Sequence, residues 1–308
     1  MKFWKQIENL SRNNLFFEVR CVFLLIVIFG FSCQSHAQGT IKKFKRPETS
    51  SLYLPANVNS QLLMNSDDLS FFKNMLYQDY FGQFWMIKDS LMACADFSED
   101  SLQMDFLKLP KEIKQCRELL WLNSNSVIML DGDTMKTFDK ESVRNIVTLP
   151  YTNMNLASAT DTSFYVFGKT TQNENVYVLF LYNLNGSWLK ICELPDAIHS
   201  VLGDGIFTLV ASGKKIYVLD YITGANVLHS GDDEILSLAA TADGTLLFST
   251  SKTVNYNDDF QQTYAFSNMG ASKLWCYGDD LYVLFLNNVF VKISPISGLK
   301  NFGDLIEK

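Results

Sequence analysis

The chain is poor in the residues that catalysis and metal binding usually require. It has three histidines in 308 residues, and one of them, His36, lies in an N-terminal leader. The six cysteines form no C-x-x-C pair and no H-x-x-x-H motif accompanies them, which excludes the common zinc sites. No G-x-S-x-G is present, so the nucleophile turn of the α/β-hydrolases is excluded. Charged residues make up only 19% of the chain, yet 47% is hydrophobic and 14% aromatic, enough for a large core and inconsistent with disorder.

The N-terminus has the pattern of an export signal. Lys2, Lys5, Arg12 and Arg20 precede an apolar run from Cys21 to Phe31, and Ser35-His36-Ala37 offers the small residues read by a signal peptidase. We expect cleavage after Ala37, making residues 1–37 a signal peptide. Lipidation at Cys33 and retention as a membrane anchor are the alternatives, although Gly30 stands where a lipobox has leucine and the run falls short of the ~18 apolar residues a span needs. Residues 1–37 carry four basic and two acidic residues, so 22 basic and 31 acidic residues remain, a net charge of −9. That balance argues against nucleic acid as a partner, because phosphates require clustered cations. The expected address is the bacterial envelope: periplasmic, associated with the outer membrane, or secreted.

What the chain does have is a period. The stretch Gly213–Gly224, GKKIYVLDYITG, reads as an alternating strand ending at Asp220, followed by a tight turn. Equivalent strand ends occur at Asp96, Asp139, Asn183, Asp220, Asn257 and Ser294, at intervals of 43, 44, 37, 37 and 37 residues. Asp, Asn and Ser suit these positions because their side chains bond the backbone two residues on and start a turn. Leu109-Pro110, Leu149-Pro150 and Leu194-Pro195 keep step 11 to 14 residues later. Proline cannot donate to a β ladder, so these pairs mark the outermost strand of each unit. Each unit also opens with two apolar runs split by a polar hinge, as in Glu118–Leu130 and Lys273–Leu286.

Each unit is therefore a meander of four short strands, and six such units must stack to bury their faces. The expected fold is all-β: a six-bladed β-propeller of four-stranded antiparallel blades over residues 73–308. Residues 38–72 are read as an N-terminal segment with a strand that closes the last blade. Ser51–Pro55 is the expected closing strand, pairing with Val289–Ser294, while Leu299–Leu305 competes for the place. The run Ser60–Leu76 is read as a short helix or a wrapped loop. A flat solenoid or sandwich is the alternative architecture.

The segment IYVLDYITG at Ile216–Gly224 resembles the third strand and turn of WD-repeat and quinoprotein-type propellers, with Phe138-Asp139 and Leu219-Asp220 standing where the WD-repeat has Trp-Asp. No tryptophan precedes these aspartates and the Gly-His element is missing, so the resemblance implies architecture alone.

The Asp-rich turns, Asp131-Gly132-Asp133 among them, lack the spacing of a calcium loop and fit ordinary turn preference. Thr241-Ala242-Asp243-Gly244 approaches the sialidase turn but lacks its Trp. Trp85, Trp121, Trp188 and Trp275 are candidates for stacking on sugars, but Trp85, Trp121 and Trp275 lie in apolar strands and are read as core. Cys94, Cys116, Cys192 and Cys276 allow three disulfide pairings, and small buried hydrophobes is the preferred reading. No catalytic residue, metal or cofactor is assigned. In propellers ligands meet the loops that enter the innermost strands, which places Arg117, Asn153, His199, Glu234 and Lys273 at the channel mouth as candidate ligand-binding residues, against the plain alternative of solvated loop residues. The expected function is an exported, non-enzymatic module that binds a protein or ligand in the envelope. A propeller hydrolase or lyase acting on glycan or a small ester, and a glycan-binding protein, are the alternatives.

Overall fold

The computed structural model describes residues 44–45 and 60–294, apart from short segments at 72–75, 89–90, 98–100, 110, 112, 114–115, 133, 140–142, 149–150, 171–175, 204–206, 221–223, 243 and 259–261. Blade 1 runs outward through β3 (Leu76–Gln78), β4 (Phe84–Lys88), β5 (Leu91–Asp96) and β6 (Ser101–Lys108). Blade 2 holds β7 (Cys116–Asn123), β8 (Ser126–Asp131), β9 (Thr134–Asp139) and β10 (Val143–Thr148). Blade 3 holds β11 (Tyr151–Ser158), β12 (Ser163–Thr170), β13 (Tyr177–Asn183) and β14 (Trp188–Leu194). Blade 4 holds β15 (Ile198–Gly203), β16 (Thr208–Ser212), β17 (Lys215–Asp220) and β18 (Gly224–Ser230). Blade 5 holds β19 (Ile235–Ala240), β20 (Leu246–Thr250), β21 (Val254–Asp258) and β22 (Gln262–Ser267). Blade 6 is built from β23 (Ala271–Tyr277), β24 (Asp280–Phe285) and β25 (Phe290–Ile293), with β2 (Ser60–Met64) as its outer strand.

The ring is closed by an N-terminal strand on the last blade, as the repeat requires, but the strand is β2. Ser60 pairs with Ile293 and Met64 with Phe290, antiparallel. This corrects the expectation for Ser51–Pro55, which itself falls outside the described residues, as does Leu299–Leu305. The run Ser60–Leu76 is a strand followed by one short helix, α1 (Ser66–Phe71), rather than helix or loop throughout. Leu62, Leu63 and Met64 are all buried, and that unbroken apolar triplet is what a strand wedged between two blades needs.

The core sits in the gaps between blades. In β8, Val127 and Met129 face Trp85 and Met92 of blade 1, whereas Ile128 and Leu130 face Phe164 and Val166 of blade 3. A strand buried on both faces is continuously apolar, which explains why VIML reads without alternation. Among the described residues there are six such clusters, one in each gap. The gap between blades 6 and 1 is the seam of the ring. There Phe84 packs on Tyr282, Phe290 and Trp275 at ring-centroid distances of 4.7, 4.9 and 5.4 Å. Aromatic pairs of this kind contribute roughly 0.5–1.5 kcal/mol each beyond the area they bury.

Pro195 follows β14, the outer strand of blade 3, and in the sequence Pro110 and Pro150 likewise come after the fourth strands β6 and β10. Blade 1 carries a fifth strand, β1 (Phe44–Lys45), whose two residues pair with Leu102 and Ser101 at the start of β6.

Candidate functional site

The first strands of successive blades pack on one another around the axis, from β3 to β23. Their N-terminal ends form one mouth of the channel. Five of the six carry a β-bulge at that end: one extra residue is inserted between Cys116 and Glu118, between Thr152 and Asn155, between Ile198 and Ser200, between Ile235 and Ser237, and between Ala271 and Lys273. A bulge re-aims the side chain that it carries and bends the strand locally. Arg117 and His199 are bulge residues, and Asn153 lies within the bulged turn of β11. Position alone singled out these residues in the sequence; the bulge that sets their direction left no readable mark.

The structure brings two of the candidate residues together directly. His199 Nε2 lies 2.8 Å from Glu234 Oε1, a contact between blade 4 and the segment entering blade 5. Their side chains are 27% and 51% exposed, so the pair is reachable from solvent. Arg117 is exposed, and its carbonyl accepts a 2.9 Å hydrogen bond from the Tyr77 hydroxyl of blade 1. The side chain of Asn153 is outside the described residues.

Lys273 reaches across the mouth. Its Nζ lies 3.9 Å from Glu118 Oε1 and 5.1 Å from the centroid of the Tyr77 ring. Lys273 belongs to blade 6 and Glu118 to blade 2, so the contact passes in front of blade 1. Burial raises the Glu118 carboxyl above its ordinary range, and the ammonium of Lys273 opposes that shift. Burial likewise raises the Tyr77 phenol, with the Glu118 and Cys116 charges adding to it. Tyr77 and Glu118 were missed in the sequence: Tyr77 sits in the weakest copy of the repeat, and Glu118 looks like any polar residue at the start of a strand.

Trp85 and Trp121 are buried and stacked on one another at 5.7 Å between blades 1 and 2, and Trp275 is partly buried in the seam. Trp188 stands apart, 58% exposed. No disulfide joins Cys94, Cys116, Cys192 and Cys276, of which the first two are buried. Burial pushes the Cys116 and Cys276 thiols up to about 12, so neither offers a thiolate nucleophile. Among the described residues no three His, Cys, Asp or Glu side chains converge on a metal position.

No protein-family model matches the sequence, and comparison with curated proteins finds no match. Solved structures do resemble it. A putative gluconolactonase superposes with a TM-score of 0.57 at 11% identity, over 82% of this chain and 97% of that one. Regucalcin from Agrobacterium tumefaciens, a calcium-binding protein, gives 0.53 at 12% identity over 72% and 89% of the two chains. The chain is a β-propeller. The extracellular domain of a putative one-component system from B. thetaiotaomicron gives 0.51 at 13% identity, over 71% of this chain; this propeller spans only 32% of that one. At such identities the likeness is one of fold and carries no activity across.

Proposed function

We propose that this propeller is an exported binding module whose channel mouth recognises a polar ligand or a polar segment of a partner in the bacterial envelope. The observation that carries this reading is the pairing of the ionisable groups at the mouth. His199 is held by Glu234 at 2.8 Å, and Lys273 faces Glu118 at 3.9 Å, each pair joining different blades. Groups held in pairs across blades offer donors and acceptors in set positions, which is what recognition needs. The export signal read in residues 1–37, and the extracellular domain among the structural neighbours, support the address. The calcium of regucalcin is not carried over, since no set of ligands converges among the described residues.

A second reading rests on the same His199–Glu234 contact. A carboxylate that orients an imidazole is half of a general-base arrangement, so a hydrolase or lyase acting on a glycan or small ester stays in view. One experiment separates the two. The exported protein is screened by thermal shift against envelope glycans and small esters, and each stabilising compound is then incubated and assayed for turnover. Binding reads as a shift that shrinks in His199→Ala and Glu234→Gln with the compound recovered intact. Turnover that disappears in His199→Ala would replace the binding module with the enzyme.

A further inference from the structure

The end of the propeller remote from the mouth is built from the first-to-second hairpins and the third-to-fourth turns of the blades. Two independent features mark it. The exposed large aromatics among the described residues are Tyr80, Trp188, Phe207 and Tyr277, and all four stand at this end. The second feature is charge. The described residues of these connections include three carboxylates, Asp79, Asp161 and Asp279. Asp79 is buried, and the described residues of these connections hold no lysine or arginine. The described connections at the mouth end hold three cations, Lys111, Lys214 and Lys252. Turn chemistry accounts for aspartates at both ends. It does not account for the absence of lysine from the described connections at one of them.

The two features meet at the seam between blades 6 and 1. Tyr277 closes β23 and lies against Gly82, while Tyr80, 51% exposed, and Phe81 stand edge to face at 5.4 Å on the same hairpin as Gly82. That hairpin is rigid. Asp79 Oδ1 accepts from the Phe81 and Gln83 amides at 2.8 and 2.9 Å, and Oδ2 accepts from the Trp85 indole at 2.9 Å. Asp279 is exposed at the tip of the next hairpin, two residues from Tyr277. Exposed tyrosine rings and a carboxylate on two adjoining hairpins, one of them pinned by Asp79, are the chemistry that holds an ammonium or guanidinium group.

The same blade already holds a lysine this way. Lys292 Nζ lies 2.7 Å from Asp280 and 5.8 Å from the centroid of the Tyr282 ring. The chain's own Phe44–Lys45 also comes to this end, pairing with Leu102 and Ser101 at the start of β6.

We propose that the acidic, aromatic face at the seam, centred on Tyr80, Tyr277 and Asp279, docks a lysine- or arginine-bearing segment of a partner protein. The face lies at the opposite end of the strands from His199 and Glu234, so the proposal stands whether the mouth binds or catalyses.

The test is fluorescence anisotropy with a labelled peptide of alternating arginine and glycine, beside its glutamate–glycine counterpart, at fixed and physiological salt. The intact protein binds the basic peptide and not the acidic one. Tyr80→Ala weakens binding about tenfold, and the isosteric Asp279→Asn, at an exposed tip, weakens it roughly threefold. Both variants are checked by melting, and Asp279→Asn keeps the test valid if Tyr80→Ala unfolds. Equal binding by wild type and both variants would mean charge attraction without a site and would overturn the proposal. So would no binding by the intact protein, or loss of self-association in Tyr80→Ala, which would make the face an interface between copies. Basic-peptide binding that appears only after residues 38–46 are deleted would assign the face to the chain's own basic stretch instead, and would also overturn it.

Discussion

The ring of Tyr277 lies flat on the backbone of Gly82, so close that a Cβ added to the glycine would stand 2.5 Å from Cγ and Cδ1. Gly82 also has φ +81°, which L side chains rarely adopt. Blade 6 is thereby seated on blade 1 at the point where the ring must close. Gly82→Ala adds a clash with a packed ring to the backbone strain, and the expected cost is roughly 3 kcal/mol. Gly186 is the matched control: φ is +88°, yet nothing lies within 4 Å of an added Cβ. Gly186→Ala should cost only the strain, about 1 kcal/mol. Denaturant melts of the two variants give the comparison, and equal costs would mean that Tyr277 yields freely.

The closing strand makes a second expectation. Leu62 is buried in the gap between blades 5 and 6, and Met64 in the gap between blades 6 and 1. Leu62→Ala and Met64→Ala should each destabilise by about 2–5 kcal/mol, as large-to-small core changes do. The two sites share one strand, so their costs should not add. Hydrogen exchange should then quicken first in β25, whose outer edge β2 protects.

The period was legible because turn chemistry and prolines recur at fixed offsets, and Asp220 with Gly224, or Leu194 with Pro195, announces a strand end by itself. The closing strand was misplaced because Ser51–Pro55 ends in the Leu-Pro that marks outer strands elsewhere. The actual strand, SQLLM, has too few β-branched residues to stand out. Burial between two blades, not intrinsic propensity, makes it a strand. The candidate site was half legible. Loops entering the first strands named His199, Glu234 and Lys273, but contacts between blades far apart in sequence decide the partners. Nothing local to Glu118 or Tyr77 says that Lys273 lies above them, 155 residues and four blades beyond Glu118.

Asp79 gives stability a pH dependence with a definite sign. Burial raises its folded pKa from 3.8 to about 6, against the opposing pull of its hydrogen bonds from Trp85, Gln83 and Phe81. Below pH 4 the carboxyl is protonated whether the chain is folded or not. Between about 4 and 6 the unfolded chain has lost the proton that the folded chain keeps, so stability falls as pH rises through that window. A shift of this size corresponds to about 3 kcal/mol, lost by pH 7. Other carboxylates titrate nearby, so the quantity to measure is the difference between wild type and Asp79→Asn across pH 4–7. That difference should change by about this amount, and a flat difference would mean that the buried carboxyl ionises as freely as one in water.

The inner strands are also stitched together by serine. Ser200 Oγ accepts from the Leu238 amide at 3.1 Å, joining blade 4 to blade 5. Ser237, 37 residues on, accepts from the Leu274 amide at 3.0 Å, joining blade 5 to blade 6. The repeat thus carries a cross-blade hydrogen bond at its own period, beneath the bulges that shape the mouth. The Ser237 bond is buried, so Ser237→Ala leaves the Leu274 amide without a partner at a cost of about 1–3 kcal/mol. Ser200→Ala, at a half-buried position, should cost less because water can reach the Leu238 amide. Amide exchange at Leu274 should quicken in Ser237→Ala while Leu238 is unaffected, and the converse should hold for Ser200→Ala. If each substitution instead quickened exchange equally at both amides, the bonds would report general loosening of the ring rather than separate stitches between neighbouring blades.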